Sequence, residues 1–180
     1  MLLEGFDIRY KLTERYAVGS RSALNDACET LPELLPGVYN SGELTLLADS
    51  FDLDGFATWP DAFWKDRSPL AITVLGDFFV WTHRTRRVEF VEVQRQKVMR
   101  AADDPGWFLE TLLTSSKIRT ELLRVELIAK LVERMGPLSY AKCFILQPWQ
   151  MLGGRESLEY FDIGDVEVYV NLVGQTAFAR

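Results

Sequence analysis

The chain predicts an α+β fold in one compact domain, in which antiparallel strands of the front part pack against a C-terminal helix–strand segment. Three observations carry this. Leu70–Leu75 and Phe78–Thr82 are β-like runs joined by the tight-turn pair Gly76-Asp77, which reads as a hairpin. Ile118, Leu122, Val125, Ile128 or Ala129, Leu131 or Val132, and Met135 recur at helical spacing and stop at Gly136-Pro137. No Ser/Gly-rich linker divides the 180 residues, so the parts expected at 1–100 and 101–180 form one continuous unit.

In chain order, residues 20–31 read as a short helix with Ser20 or Ser22 as N-cap and Leu24, Ala27, Cys28 and Leu31 as its apolar face. Pro32 and Pro36-Gly37 end it. Tyr39-Asn40-Ser41-Gly42 is a turn, and Leu44–Ala48 a short strand. Pro60 precedes a helical turn over Asp61–Lys65. After the hairpin, Val88–Val93 alternates well enough for a third strand of the same sheet. Asp104 caps a helix with Pro105 at its first position and Trp107, Phe108, Leu112 and Leu113 as the apolar face. Ser115 or Ser116 starts the long amphipathic helix. Residues 143–147 and 166–173 read as strands, the second with Val166, Val168 and Val170 on one face.

Composition bounds the class of protein. Hydrophobic residues make up 48% and charged residues 26%, the balance of a globular protein. Runs such as Phe78-Phe79-Val80-Trp81 are too short to span a bilayer, and the start has Glu4 and no basic n-region. Cys28 and Cys143 are expected as free thiols in a reducing cytoplasm. Charge is uneven. Residues 26–66 hold nine acids against Lys65, net −8, whereas 84–100 hold six bases against Glu89 and Glu92, net +4. An acidic region of that size repels nucleic acid and speeds encounter with basic proteins; its plain alternative is a solvated face that serves solubility.

Catalytic and metal patterns are weak. Phe51-Asp52-Leu53-Asp54-Gly55 copies the nucleophile loop of haloacid-dehalogenase-type phosphatases, in which one Asp attacks phosphorus and the other is acid/base. That loop needs an uninterrupted buried strand in a parallel sheet before it, and Asp49-Ser50 interrupts this one. The same stretch aligns with a calcium loop through Ser50, Asp52, Asp54, Gly55 and Asp61, but lacks the terminal Glu and clear flanking helices. His83 is the single histidine, which removes HExxH and two-histidine sites. Gly153-Gly154 lacks the spacing of a phosphate loop and fits a turn needing φ > 0 or close backbone approach. No cofactor and no metal are expected.

The stretch from Met135-Gly136-Pro137-Leu138 through Ala141-Lys142-Cys143-Phe144, Gln147-Pro148-Trp149 and Leu152-Gly153-Gly154 resembles the end of the bacterial immunity proteins that neutralise DNase toxins delivered by type VI secretion. The front part is similar to the GAD-like domain of that family: Leu31-Pro32-Glu33-Leu34-Leu35, then Tyr39–Leu44, then Ser68–Trp81 with its Gly76-Asp77 turn. The chain departs from the family at Ala141–Ile145, where the family often has an acidic pair and Tyr-Gly-Phe, and at Val168-Tyr169-Val170, where it often has His-Leu. The resemblance implies a cytoplasmic binding protein without catalysis, whose partner is a cognate effector toxin, a basic DNase domain. It implies structural turns at Gly76, Gly136, Pro137, Gly153 and Gly154. The toxin-facing carboxylates are then expected at Glu43, Asp49, Asp52, Asp54 and Asp61, or along Glu156, Glu159, Asp162 and Asp165. The alternatives are a phosphatase-like hydrolase built on Asp52 and Asp54, and a regulatory interaction domain of the same fold.

Overall fold

A computed structural model describes residues 3–17, 20–49, 51 and 58–178. A seven-stranded antiparallel meander forms the frame: β1 (Leu12–Arg15), β2 (Gly37–Tyr39), β3 (Leu44–Leu46), β4 (Arg67–Thr73), β5 (Phe78–Thr82), β6 (Arg87–Glu92) and β7 (Lys97–Ala102), paired in that order. The helices are α1 (Glu4–Arg9), α2 (Ala23–Ala27), α3 (Asp61–Trp64), α4 (Pro105–Trp107), α5 (Ser116–Glu121), α6 (Val125–Met135) and α7 (Val166–Phe178). A second sheet has two strands, β8 (Lys142–Leu146) and β9 (Phe161–Asp165). The expected α+β architecture is present.

The frame is covered on both faces, and its strand sequences state why. Along β5, Phe79 and Trp81 join the cluster of Phe6, Tyr10, Leu24, Phe108, Leu109 and Leu113, while Phe78 and Val80 join that of Trp59, Val166, Tyr169, Val170 and Val173. A strand buried on both sides reads as a continuous apolar run, although that pattern is commoner in parallel sheets. Phe108 packs on Phe79 with ring centroids 4.8 Å apart. On the opposite face, each of the four apolar side chains of α7 contributes about 2 kcal/mol through burial. The small sheet hangs on the frame through Phe144 N–H donating to Val74 O, 2.8 Å. A third cluster (Val74, Ile128, Leu131, Phe144, Leu146, Phe161) seats α6 against that junction.

The hairpin β4–β5, the turn at Asn40–Gly42, the strands at β3, β6 and β8, and the helical turn α3 lie where the residue pattern places them. Ser22 caps α2, its Oγ accepting from Leu24 N–H at 3.3 Å. That helix ends at Ala27, four residues early, because the Asn25 side chain bonds Pro32 O and Leu34 N–H and folds the chain back. Asp104 caps α4 through Trp107 N–H, 2.8 Å, and a π-helical stretch, Phe108–Leu112, continues it. Trp107 departs from the expected apolar face and is 49% exposed.

Two expectations are overturned. The long amphipathic helix is two helices, broken where Arg124 takes a left-handed φ of +60°. Leu123 is buried in the first cluster and Ile128 and Leu131 in the third, and the turn redirects the stripe from one to the other. Residues 166–173 are not a strand but the first two turns of α7. Val166, Tyr169, Val170 and Val173 are buried, the i, i+3, i+4, i+7 face of a helix, whereas Val168 points outward. The strand partner of β8 is β9, immediately before it.

Glycine is required at two of the expected turns. Gly76 has φ +79°, and a Cβ there would lie 2.8 Å from the Tyr169 ring. A Cβ on Gly154 would lie 1.7 Å from Pro148 O, so only a bare backbone closes that loop.

Candidate functional site

Among the described acidic positions, Glu43 and Asp49 differ in exposure. Glu43 is withdrawn from the surface: the residue is 5% exposed, and its carboxylate receives Arg119 Nε at 2.8 Å and an Arg119 terminal nitrogen at 2.9 Å, with Asn40 Nδ2 donating at 3.0 Å. Arg119 stands over the Tyr10 ring, and Tyr10 donates its hydroxyl to Leu113 O. Burial, then the Glu43 charge, push the Tyr10 phenol far above its ordinary range. A carboxylate so enclosed ties the front sheet to α5 and presents nothing to a partner, which corrects its expected place on the toxin-facing surface.

Asp49 is exposed and shares a shallow hollow with Asp26, Phe51, Trp81 and His83. His83 follows β5 on the surface, within 2.8 Å of Ser68 Oγ. Asp52 and Asp54 lie outside the described residues, as does the Asp61 side chain. The phosphatase reading loses its scaffold nonetheless: β3, the strand before that loop, pairs antiparallel with both neighbours, where the nucleophile loop needs a parallel sheet. Residues Ser50 and Gly55 of the calcium pattern are also outside the described residues. Among those described, no group of three His, Cys, Asp or Glu could hold a metal ion, and no helix is long and apolar enough to cross a membrane.

The second strip is built on β9 and the loop before it. Glu156, Glu159, Asp162 and Asp165 are all exposed at the residue level. Glu156 forms a two-pronged ion pair with Arg124, and Asp165 pairs with Lys142 across the β8–β9 ladder. Asp162 accepts from Ile163 N–H at 2.8 Å. The loop holding these groups is pinned at several points: Gln147 N–H to Tyr160 O at 2.7 Å, Gln150 N–H to Gln94 Oε1 at 3.1 Å, and Arg134 to Leu158 O.

Beside this strip lies a feature that residue patterning did not indicate. An open groove of about 570 Å³ runs between α7 and the β8–β9 hairpin. Its floor is Ile145, lying across Gly164, where a Cβ would come within 2.4 Å of Ile145 Cδ1. Val168 (56% exposed) and Leu172 (44%) line one side, Trp149 and Leu152 (58%) the other. Trp149 meets Tyr169 edge-on with ring centroids 6.1 Å apart. The signal in the sequence is Val168, Leu172 and Thr176 at i, i+4, i+8, which is visible once α7 is a helix.

A polar hollow on the other side of Tyr169 holds Asp77, Glu92, Gln94 and Arg95. Asp77 is half-buried, and its Oδ1 accepts from Val93 N–H at 2.8 Å. Burial pushes its carboxyl up to about 7; the Val93 bond opposes this, Glu92 adds to it and Arg95 opposes it. Cys143, buried beneath the same ring, has its thiol pushed far up by burial and by the charge of Asp77.

Compared with known proteins, residues 106–177 match the family model described as T6SS immunity protein Tdi1, C-terminal. Nothing among the curated proteins matches. Among solved structures the chain is similar to the crystal structure of Atu4351 from Agrobacterium tumefaciens, with a TM-score of 0.68 at 13% identity over 98% of this chain and 90% of that one. At that identity the likeness establishes the fold. The matched segment contains α5, α6, the β8–β9 hairpin, the acidic strip, the groove and α7 as far as residue 177.

Proposed function

We propose that this protein binds a cognate antibacterial effector toxin, a DNase, and silences it in the cytoplasm without chemistry of its own, because residues 106–177 match the family model described as T6SS immunity protein Tdi1, C-terminal. The family match carries the reading, and the charge supports it. A nuclease needs a cationic cleft to hold DNA, and a chain of net charge −6 with an exposed strip at Glu156, Glu159, Asp162 and Asp165 is drawn to such a cleft. That strip is a better toxin-facing surface than the first cluster, whose Glu43 is enclosed, although Asp49 remains available. In this proposal residues 1–100 are the GAD-like part that supplies the frame, and 101–180 the part that meets the toxin.

The test is co-expression with the product of the neighbouring reading frame, followed by a plasmid-cleavage assay on the mixture. A stoichiometric complex with cleavage silenced supports the immunity role. A folded sample that leaves an active neighbouring nuclease untouched overturns it. A complex with a partner that cleaves no DNA, yet is toxic alone and harmless when bound, keeps the immunity role and removes the DNase assignment.

A further inference from the structure

Helix α7 carries more apolar surface than its packing uses. Val166, Tyr169, Val170 and Val173 cover the sheet, and on that side the helix is closely fitted: a Cβ on Gly174 would stand 2.6 Å from Trp59, whose indole N–H bonds Val170 O at 2.8 Å. A helix that covers a sheet needs one apolar stripe and turns a polar face to water. This one turns Val168 and Leu172 outward instead, opposite Trp149 and Leu152. That second face is also why the stretch reads as a strand, since Val166, Val168 and Val170 alternate only because inward and outward positions are both apolar.

The surroundings state what the groove can receive. Asp165 lines it, Asp162 is the cross-strand partner of its floor residue Ile145, and Glu167 lies beside Val168 on α7. Residues 145–177 contain five acids against the single base Arg155; Lys142 pairs with Asp165 and Arg124 with Glu156, and Glu159, Asp162 and Glu167 have no ion pair among the described residues. A second copy of this chain would bring the same acidic rim against itself, and an anionic lipid surface would be repelled. A basic amphipathic segment meets both requirements, with its apolar residues in the groove and its lysines or arginines against the rim.

Resting on the immunity reading, we infer that the groove between α7 and the β8–β9 hairpin is the docking site for a segment of the effector that has an apolar ridge flanked by basic residues. Trp149, Leu152, Val168 and Leu172 receive the ridge, and Asp162 and Glu167 steer it. The floor is preformed, because Gly164 admits Ile145 and the Gly153-Gly154 turn holds Leu152 in place, so the groove binds without first having to order itself.

The experiment titrates the purified product of the neighbouring reading frame into the wild-type chain, into V168E/L172E and into D162K/E167K, with near-ultraviolet circular dichroism as a fold control. The substituted side chains are exposed, and the sheet-facing side of α7 is untouched. V168E/L172E should weaken binding roughly a hundredfold, the scale of losing two central anchors. D162K/E167K should slow association and flatten its salt dependence. Hydrogen exchange on the wild-type complex should protect amides of residues 145–152 and 164–176. Wild-type binding that V168E/L172E leaves intact, with no protection there, overturns the groove and spares the immunity reading. No wild-type binding overturns both. A wild-type dimer that V168E/L172E renders monomeric assigns the groove to self-association and overturns the effector as its occupant.

Discussion

Replacing Arg119 with methionine takes two charged donors from a carboxylate that has almost no contact with water. The Glu43 side chain is 6% exposed and the Arg119 side chain 19%, so neither charge is well solvated. After the change Asn40 Nδ2 still donates to Glu43, but the fork of 2.8 and 2.9 Å bonds is gone. Breaking a buried pair by removing one partner costs about 3–5 kcal/mol. The remaining Asn40 bond and the partial exposure of Arg119 put this case at about 2–4 kcal/mol. With a urea slope of about 2 kcal/mol per molar, the unfolding midpoint should fall by about 1–2 M with the slope unchanged. The double variant E43L/R119M removes both charges and should recover most of the loss, since an apolar pair of similar volume is often neutral. Urea unfolding followed by circular dichroism on the four proteins closes the cycle. A single-variant shift below about 0.3 M would place the pair with exposed ion pairs and refute the enclosure of Glu43. Binding of the effector by the folded fraction should be unchanged in E43L/R119M, because these groups lie behind the surface.

Three further outcomes are expected. Asp77 keeps its proton in the fold up to about pH 7 but loses it near 3.8 in the unfolded chain. Between those values the native state binds more protons, so stability falls as pH rises, by about 1–3 kcal/mol after allowing for partial exposure, and levels off above 7. Asp77→Asn keeps an oxygen for Val93 N–H and should remove that slope between pH 4 and 7; an unchanged midpoint-versus-pH curve would contradict the assignment. Gly76→Ala forces a Cβ into left-handed backbone against Tyr169 and should cost about 2–4 kcal/mol in urea unfolding, and a loss under about 0.5 would show that the turn relaxes. Iodoacetamide should label half-buried Cys28 in the native protein and reach buried Cys143 only after unfolding; native labelling of Cys143 would contradict the packing around Tyr169.

What could be read from residues alone was the local chemistry with a short range. The β4–β5 hairpin follows from Gly76-Asp77 between two apolar runs, and α4 from Asp104-Pro105, because cap and turn signals act within a few positions. Strands β1, β2 and β7 escaped for physical reasons. β1 and β7 end the meander, and Glu14, Arg15, Lys97 and Arg100 along them give solvated edges with little alternation, while β2 is three residues long. The break at Arg124 has no Gly or Pro to mark it; it exists because two clusters on different sides of the fold compete for one stripe. The charge of Glu43 was visible, but its burial depends on an arginine 76 positions away, which no local pattern encodes. The groove was hidden by the same valines that produced the mistaken strand.

The segment from 106 to 177 runs over one face of the frame with Phe108–Leu113 and over the other with Val166–Val173. A band that encircles its support cannot be traded between relatives as a cassette. A graft onto a foreign sheet would also need Ile72, Phe78, Val80 and Val91 beneath α7, and Phe79, Trp81 and Phe90 beneath the π-helical stretch. If the groove is the docking site, partner specificity in this architecture would be retuned one outward side chain at a time, at places such as Val168, Leu172 and Leu152, whose replacement leaves the girdle closed.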